Sequence, residues 1–580
     1  MMDRSSTHEP AVDLLPLGGR SEHRRIASGR LPGLTLVAFL IALLLLAPIA
    51  TIVASLTQQD QGTWAHLAST VMPSYLANTL GLTLGVGIGV LLVGITTAWL
   101  VTMCRFPGVR LFEWLLILPL AVPAYVMAYT YTDFLQFAGP VQSLLRELTG
   151  WQAGDYWFPS IRSLEGAILM LVMVLYPYVY LLSRAAFLEQ SVCVLEVSRT
   201  LGCTAWDSFW SVALPTARPA IVAGTSLALM ETLADYGTVA FFGVPTFTTG
   251  IIRSWIAFGD RIAAAQLSAV LLGFVLMLML LEYWSRGRAR YHQTSTRYQS
   301  LPSYRLRGLR AAAAWLACAL PLCLGFLLPA GILLFMAIET GDSQFGSRYF
   351  ALVRNSLTLA VAAALLAVAV ATLMAYSRRL HPGVLATACN RVASMGYAIP
   401  GTVIAVGVLI PAAAFDNALD AWARETLGVS TGLILTGSIA ALVFAYLVRF
   451  LAVSLNTVEA SLVKVRPSMD DAARNLGVGP GGVLRRVHIP LMRGSLLTAG
   501  LIVLVDVMKE LPATLVMRPF NFDTLAVQAY NLASDERLTE SSTASLTIVA
   551  AGVLPLILLT RAIRRSRPGQ KQDASSHPAT

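Results

Sequence analysis

Apolar runs of about 20 to 30 residues, separated by shorter polar breaks, recur along this chain from residue 34 to residue 562. Runs of that length cross a bilayer as helices, because a helix rises about 1.5 Å per residue and must cover about 30 Å of hydrocarbon. The pattern predicts spans at 34–56, 76–103, 112–135, 164–186, 217–242 and 264–283. It predicts six more at 310–338, 353–377, 388–413, 430–455, 494–517 and 541–562. The run at 34–56 is longer than the apolar core of a cleaved signal, so it reads as a retained first span. The fold class expected is an all-α polytopic membrane protein of about 12 transmembrane helices.

Repeated short patterns divide the chain into two like halves. Asn78-Thr79-Leu80 matches Asn355-Ser356-Leu357, and Ala121-Val122-Pro123 matches Ala398-Ile399-Pro400, both at an offset of 277. Pro107-Gly108 matches Pro382-Gly383 at 275. Six spans return the chain to its starting side, so this is a 6+6 tandem duplication in one topology. The expected organisation is a tail at 1–33, a first half at 34–283, a linker at 284–309, a second half at 310–562 and a tail at 563–580. The linker is Arg-rich, and with the N-terminus inside most of the 42 basic residues fall on the inner side. The positive-inside rule then makes both termini cytoplasmic.

Composition closes off other classes. The 580 residues are 56% hydrophobic and 13% charged, with mean hydropathy +0.66, too apolar for a soluble protein. Only three basic residues are Lys (464, 509 and 571), and none stands in a GxxxxGK[ST] phosphate loop, so no ATP hydrolysis and no catalytic residue are expected. The six Cys lack C-x-x-C spacing and read as small apolar residues with no metal or redox role. The formal charge of +10 is a topology signal, and no soluble basic face for nucleic acid exists.

The most specific signal is a polar pattern present once in each half. The first copy begins at Glu196, has Gly202 six residues on, and ends at Leu214-Pro215. The second begins at Asp471-Ala472-Ala473, has Gly477 six residues on, and ends at Ile489-Pro490. Each reads as a short helix, a glycine stop, a second short helix, and a proline that marks a break before the next span. Arg199 and Arg474 match between the copies. Two equal knobs on the cytoplasmic face imply two copies of one docking partner.

This pattern resembles the EAA loop of binding-protein-dependent ABC import permeases. The second copy fits with Asp in place of Glu, whereas the first, Glu196-Val197-Ser198, lacks the two alanines. The resemblance implies that each loop inserts into one of two cytoplasmic ATPase subunits, which hold the ATP, while this chain binds no cofactor. It also implies a periplasmic binding protein and a bacterial inner-membrane location. The fused halves are similar to ferric-iron permeases over Glu231–Thr238, Phe241–Gly250, Asp506–Thr514 and Arg518–Leu525, with thiamine and phosphonate permeases as alternatives of the same architecture. A twelve-helix secondary transporter is the rival class. The loop between the second and third spans, Cys104 to Arg110, lacks the acid of the major facilitator signature.

Charge inside a span is costly and faces the bundle interior or a wet path. Glu231 and Asp235, and Asp506 and Glu510, are each four apart and are expected on one helix face, with Lys509 beside the second pair. They are the candidate translocation path: two acidic pairs suit a hard cation such as Fe(III), while pairing within the protein, Lys509 with Asp506 first, is the structural alternative. Tyr125, Tyr129 and Tyr131 read as aromatics at the membrane interface, and His292, His381 and His488 as residues with no metal role.

Overall fold

The computed structural model describes residues 33–58, 63–152, 154–189, 204–286, 304–339 and 346–565. The first half runs through α1 (Gly33–Ser55), α2 (Met72–Met103), α3 (Val109–Leu115), α4 (Ala124–Leu135), α5 (Leu164–Glu189), α6 (Leu214–Ala234), α7 (Gly237–Phe241), α8 (Phe247–Ile252) and α9 (Arg261–Arg286). The second half contains α10 (Leu309–Leu322), α11 (Leu328–Glu339), α12 (Ser347–Leu380), α13 (Val384–Met395), α14 (Gly401–Leu427) and α15 (Ile439–Val463). It ends with α16 (Pro467–Asn475), α17 (Ile489–Met508), α18 (Pro512–Met517), α19 (Leu525–Ser534) and α20 (Leu538–Arg565). Among the described residues the only strand pairing joins Cys104–Arg105 to Tyr304–Arg305, which ties the end of the linker to the loop after α2.

Among the described residues eleven helices are long and apolar enough to cross a membrane, and a pair bent by 91° makes a twelfth if it is one span. That pair corrects the expected straight span at 112–135. Pro123 has no N–H and pushes Val122 into an extended conformation (ψ 117°), so the chain turns between α3 and α4. Pro400 repeats the device after Ile399 (ψ 126°), dividing the expected span 388–413 between α13 and α14. The expected spans 217–242 and 494–517 also stop early, at Ala234 and Met508, and each is followed by a short helix.

Prolines expected to break the chain after the repeated pattern do not break it. Helix continues from Phe209 through Pro215 to Ala234, and from Pro480 through Pro490 to Met508. A π turn precedes each proline: Leu214 N–H bonds the Phe209 carbonyl and Ile489 N–H bonds the Leu484 carbonyl. The wider turn accommodates the hydrogen bond that proline cannot donate, so the helix absorbs it. The same arrangement precedes Pro329, where Leu328 N–H bonds the Cys323 carbonyl.

The halves interlock through their first helices. α1 packs on α9 of its own half and on α12, α13 and α14 of the other. α10 and α11 lie against α2, α3 and α4 of the first half and against α20, and the π turn Cys323–Leu327 between them meets α5. Contact is close where small residues permit it: a Cβ on Gly407 of α14 would lie 2.7 Å from the Pro48 carbonyl oxygen of α1. Within the halves, Gly85 and Gly89 of α2 receive Ile168 and Val172 of α5, and buried Ala360, Ala363, Ala367 and Ala371 line α12 facing α15 and α17.

Candidate functional site

Where α6 and α17 stop, the chain turns and begins a short helix, and this turn places the central charges. Asp235 follows the end of α6 in an extended conformation (ψ 134°). Its carboxylate accepts bonds from the Thr238 hydroxyl (3.0 Å) and Val239 N–H (3.2 Å), capping α7. Glu510 does the same for α18, accepting from Ala513 N–H (3.0 Å), Thr514 N–H (3.0 Å) and the Thr514 hydroxyl (2.7 Å). The expectation that each acidic pair shares one helix face is therefore corrected: Glu231 and Asp506 are helical, and Asp235 and Glu510 lie beyond the helix ends. The orphan N–H groups of a helix start hold the second acid of each pair.

All five expected path residues nevertheless line one cavity of about 90 Å³ between the halves. Lys509 Nζ lies 2.9 Å from Asp506 Oδ1, the pairing expected as the structural alternative. Arg449 of α15, inside the expected span 430–455, adds a sixth charge that was not among the candidates. It is 6% exposed and reaches Glu510 at 3.2 Å and Glu231, across the half boundary, at 3.8 Å. One arginine in a long apolar run carries no sequence signal of its own, and its partner lies 218 residues away in Glu231.

The tyrosines of α4 are buried and do not form an interface belt. Tyr125 lines the cavity and donates to the Lys509 carbonyl (3.4 Å), Tyr131 donates to the Leu324 carbonyl (2.6 Å), and Tyr129 packs on Phe241. Across the boundary, the Tyr236 and Tyr530 hydroxyls are 3.1 Å apart and those of Tyr178 and Tyr397 are 3.4 Å apart. No group of three or more metal-ligating side chains occurs among the described residues.

The second copy of the repeated pattern folds as a helix, a stop and a helix. Asp471, Ala472 and Ala473 lie in α16, and Gly477 follows it at φ 76°. Gly477 N–H bonds the Arg474 carbonyl and Val478 N–H bonds the Ala473 carbonyl, a Schellman stop that needs a left-handed residue. Asp471, Ala472 and Leu476 are exposed and Ala473 is buried. The anchor is the neighbouring Asp470, overlooked because the pattern begins one residue later. Arg379 of α12 bonds Asp470 (2.8 Å) and the Leu462 and Val465 carbonyls (2.6 and 2.9 Å), and buried His488 lies 2.8 Å from Asp470. Tyr376 donates to the Pro480 carbonyl at 2.7 Å, fixing the start of the second helix, and Ile489-Pro490 continue into α17.

In the first copy, Glu196 and Gly202 lie outside the described residues. Its later part begins at Thr204, whose hydroxyl and N–H bond Asp207 (2.6 and 3.1 Å) and hold that carboxyl below the usual range. Leu214 and Pro215 then open α6. Burial pushes the Cys104 thiol up to about 11, in keeping with a small apolar role.

Residues 91–289 match the family described as binding-protein-dependent transport system inner membrane component. The chain is 26% identical over 502 residues to the Fe(3+)-transport system permease protein FbpB 2 of Haemophilus influenzae, covering 84% of this chain and 90% of that one. It is 28% identical over 206 residues to the molybdenum transport system permease protein ModB of Escherichia coli, 34% of this chain and 87% of the relative. A sulfate transport system permease protein, CysT of Synechocystis, is 26% identical over 272 residues, 45% of this chain and 91% of the relative. The last two place nearly their whole length on less than half of this chain, as a duplicated permease requires. This multi-pass inner-membrane protein thus matches binding-protein-dependent transport system inner membrane components over residues 91–289 and is similar to a transport permease over 84% of its length.

Proposed function

We propose that this chain is the permease of an ATP-driven importer that moves ferric iron, delivered by a periplasmic binding protein, across the inner membrane. One observation carries the substrate: similarity to an Fe(3+)-transport permease runs through both halves, over 84% of the chain. The central cavity agrees, because four carboxylates (Glu231, Asp235, Asp506 and Glu510) face two bases (Arg449 and Lys509) there. An excess of hard oxygen donors suits a trivalent cation and opposes oxyanions such as molybdate or sulfate.

Two copies of a cytoplasmic ABC ATPase dock on the repeated patterns, and the nucleotide sits on them. In the first copy Glu196, Gly202, Leu214 and Pro215 form the coupling element, and in the second Asp471, Ala472, Gly477, Ile489 and Pro490, with buried Ala473 packed beneath them. The exposed ridge of α16, ending in Leu476 at 82% exposure, supplies an apolar tip for a cleft on the partner. Both termini lie in the cytoplasm. Closure of the ATPases moves α16, and α17 carries that motion to the cavity.

Uptake of labelled Fe(III), thiamine, a phosphonate and molybdate is measured in cells with and without this chain, the ATPase and binding protein being present in both. Iron uptake that needs the chain and ATP is the expected result. ATP-dependent uptake of another ligand would overturn the substrate, and uptake driven by a proton gradient would overturn the coupling. Gly477→Asp meets nothing within 4 Å at its Cβ, and aspartate is among the residues that adopt a left-handed conformation such as φ 76°, at a cost of about 1–2 kcal/mol, so the chain should still insert while ATP turnover separates from uptake. Normal transport by that variant would argue against docking at this turn.

A further inference from the structure

The charged cavity has a neighbour of different character. A second cavity of about 230 Å³ lies along α17, lined by Val453, Thr498, Leu501, Ile502, Val505 and Leu556 among others. It lies nearer than the first to the start of α17, which leads from the coupling pattern, so under the proposed topology it is the cytoplasmic vestibule. Five residues line both cavities: Leu120, Tyr178, Tyr397, Asp506 and Lys509. Two of these come from opposite halves and meet across the boundary, with the Tyr178 and Tyr397 hydroxyls 3.4 Å apart.

The duplication gives this wall its shape. At the offset of 277, Tyr397 corresponds to Leu120, and at 275 Val453 corresponds to Tyr178, and all four line the vestibule. Each half thus contributes one aromatic and one aliphatic residue, and the two aromatics touch. Tyr397 sits in the short turn Gly396–Ala398 before Pro400, held tightly enough that a Cβ on Gly396 would lie 1.8 Å from the Val448 carbonyl oxygen. Tyr178 sits one residue after Pro177 in α5. Each ring is therefore placed by a backbone feature of its own half.

We propose that Tyr178 and Tyr397 are the inner gate, which closes the charged chamber from the cytoplasmic vestibule and parts when the two halves separate. A cation leaving the carboxylates meets an apolar vestibule beyond this wall, where a narrow dry passage opposes an ion even without a tight steric block. One neutral hydroxyl contact is weak enough to open with each transport cycle. This rests on the transport reading above, but its test needs neither iron nor ATP.

The test uses the full chain in proteoliposomes with its six cysteines replaced by alanine. One probe cysteine is introduced at a time, Ala234→Cys in the chamber or Thr498→Cys in the vestibule. A membrane-impermeant methanethiosulfonate is added to the cytoplasmic face. With both tyrosines present, the vestibule site should react at least about tenfold faster than the chamber site. Tyr178→Ala with Tyr397→Ala should raise the chamber rate about tenfold and leave the vestibule rate unchanged. Equal rates at the two sites with both tyrosines present would overturn the gate, and that comparison does not depend on the alanine variant folding. An unchanged chamber rate in a correctly inserted alanine variant would overturn it as well. A failure of iron uptake leaves both labelling rates as they are, so the two proposals fail separately.

Discussion

Glu231 and Asp506 occupy matching places in the two halves, 275 residues apart, yet only the second has a base on its own helix end. Ala234 stands where the other half has Lys509, and Val174 stands where it has Arg449. The backbone frame was kept: both helices stop, both next acids cap a short helix, and Asn78 and Asn355 both donate to the carbonyl before a helix-capping threonine. Charge compensation was not kept, because both bases belong to one half. The chamber is therefore symmetric in shape and lopsided in charge, and Arg449 serves acids of both halves.

The difference can be broken most severely at Arg449. Arg449→Ala leaves Glu510, whose side chain is 2% exposed, without its base, at a cost of about 3–5 kcal/mol. Val174→Ala, at the matching position, should cost no more than about 2 kcal/mol. Melting temperatures in detergent compare the two, and equal losses would remove the asymmetry.

A smaller effect is expected at Lys509. Lys509→Ala leaves Asp506 unpaired and should cost about 2 kcal/mol, the contribution of a charged hydrogen bond. Adding Ala234→Lys places an ammonium three residues after Glu231, the spacing that Lys509 has from Asp506. Chamber charge is then restored on the wrong half. Uptake should recover while stability does not, and recovery of stability would mean that net charge, and not the local pair, matters.

The smallest effect tests the shared frame. Thr246 caps α8 and Thr524 caps α19, so Thr246→Ala and Thr524→Ala should each cost about 1 kcal/mol. A several-fold difference between them, read by thermal unfolding, would show that the frames have diverged as the charges have.

Much of the scaffold was legible in the chain because hydrophobic length and duplication are local, countable properties. The spans, the two halves and the Gly477 stop follow from run length, offset and a glycine after a short helix. Two of the misjudged spans share one cause. Apolar composition runs on through Val122-Pro123 and Ile399-Pro400, so hydropathy shows no end where the backbone turns. The opposite error occurred at Pro215 and Pro490, where π turns carried the helix through. Asp470 was overlooked because its role is defined by Arg379, 91 residues earlier.

By itself the sequence determined that this chain is a duplicated bundle of membrane helices with a polar pattern repeated once in each half and acids in matching spans. Those features depend on the length and period of apolar runs, which bilayer thickness and helix rise impose residue by residue. Tertiary structure alone decided that Arg449 meets Glu231, that the tyrosines of α4 turn inward, and that Tyr178 finds Tyr397. The contacts at Glu231 and Tyr397 cross between halves more than 200 residues apart, and no local propensity reports which face of one helix meets which face of another.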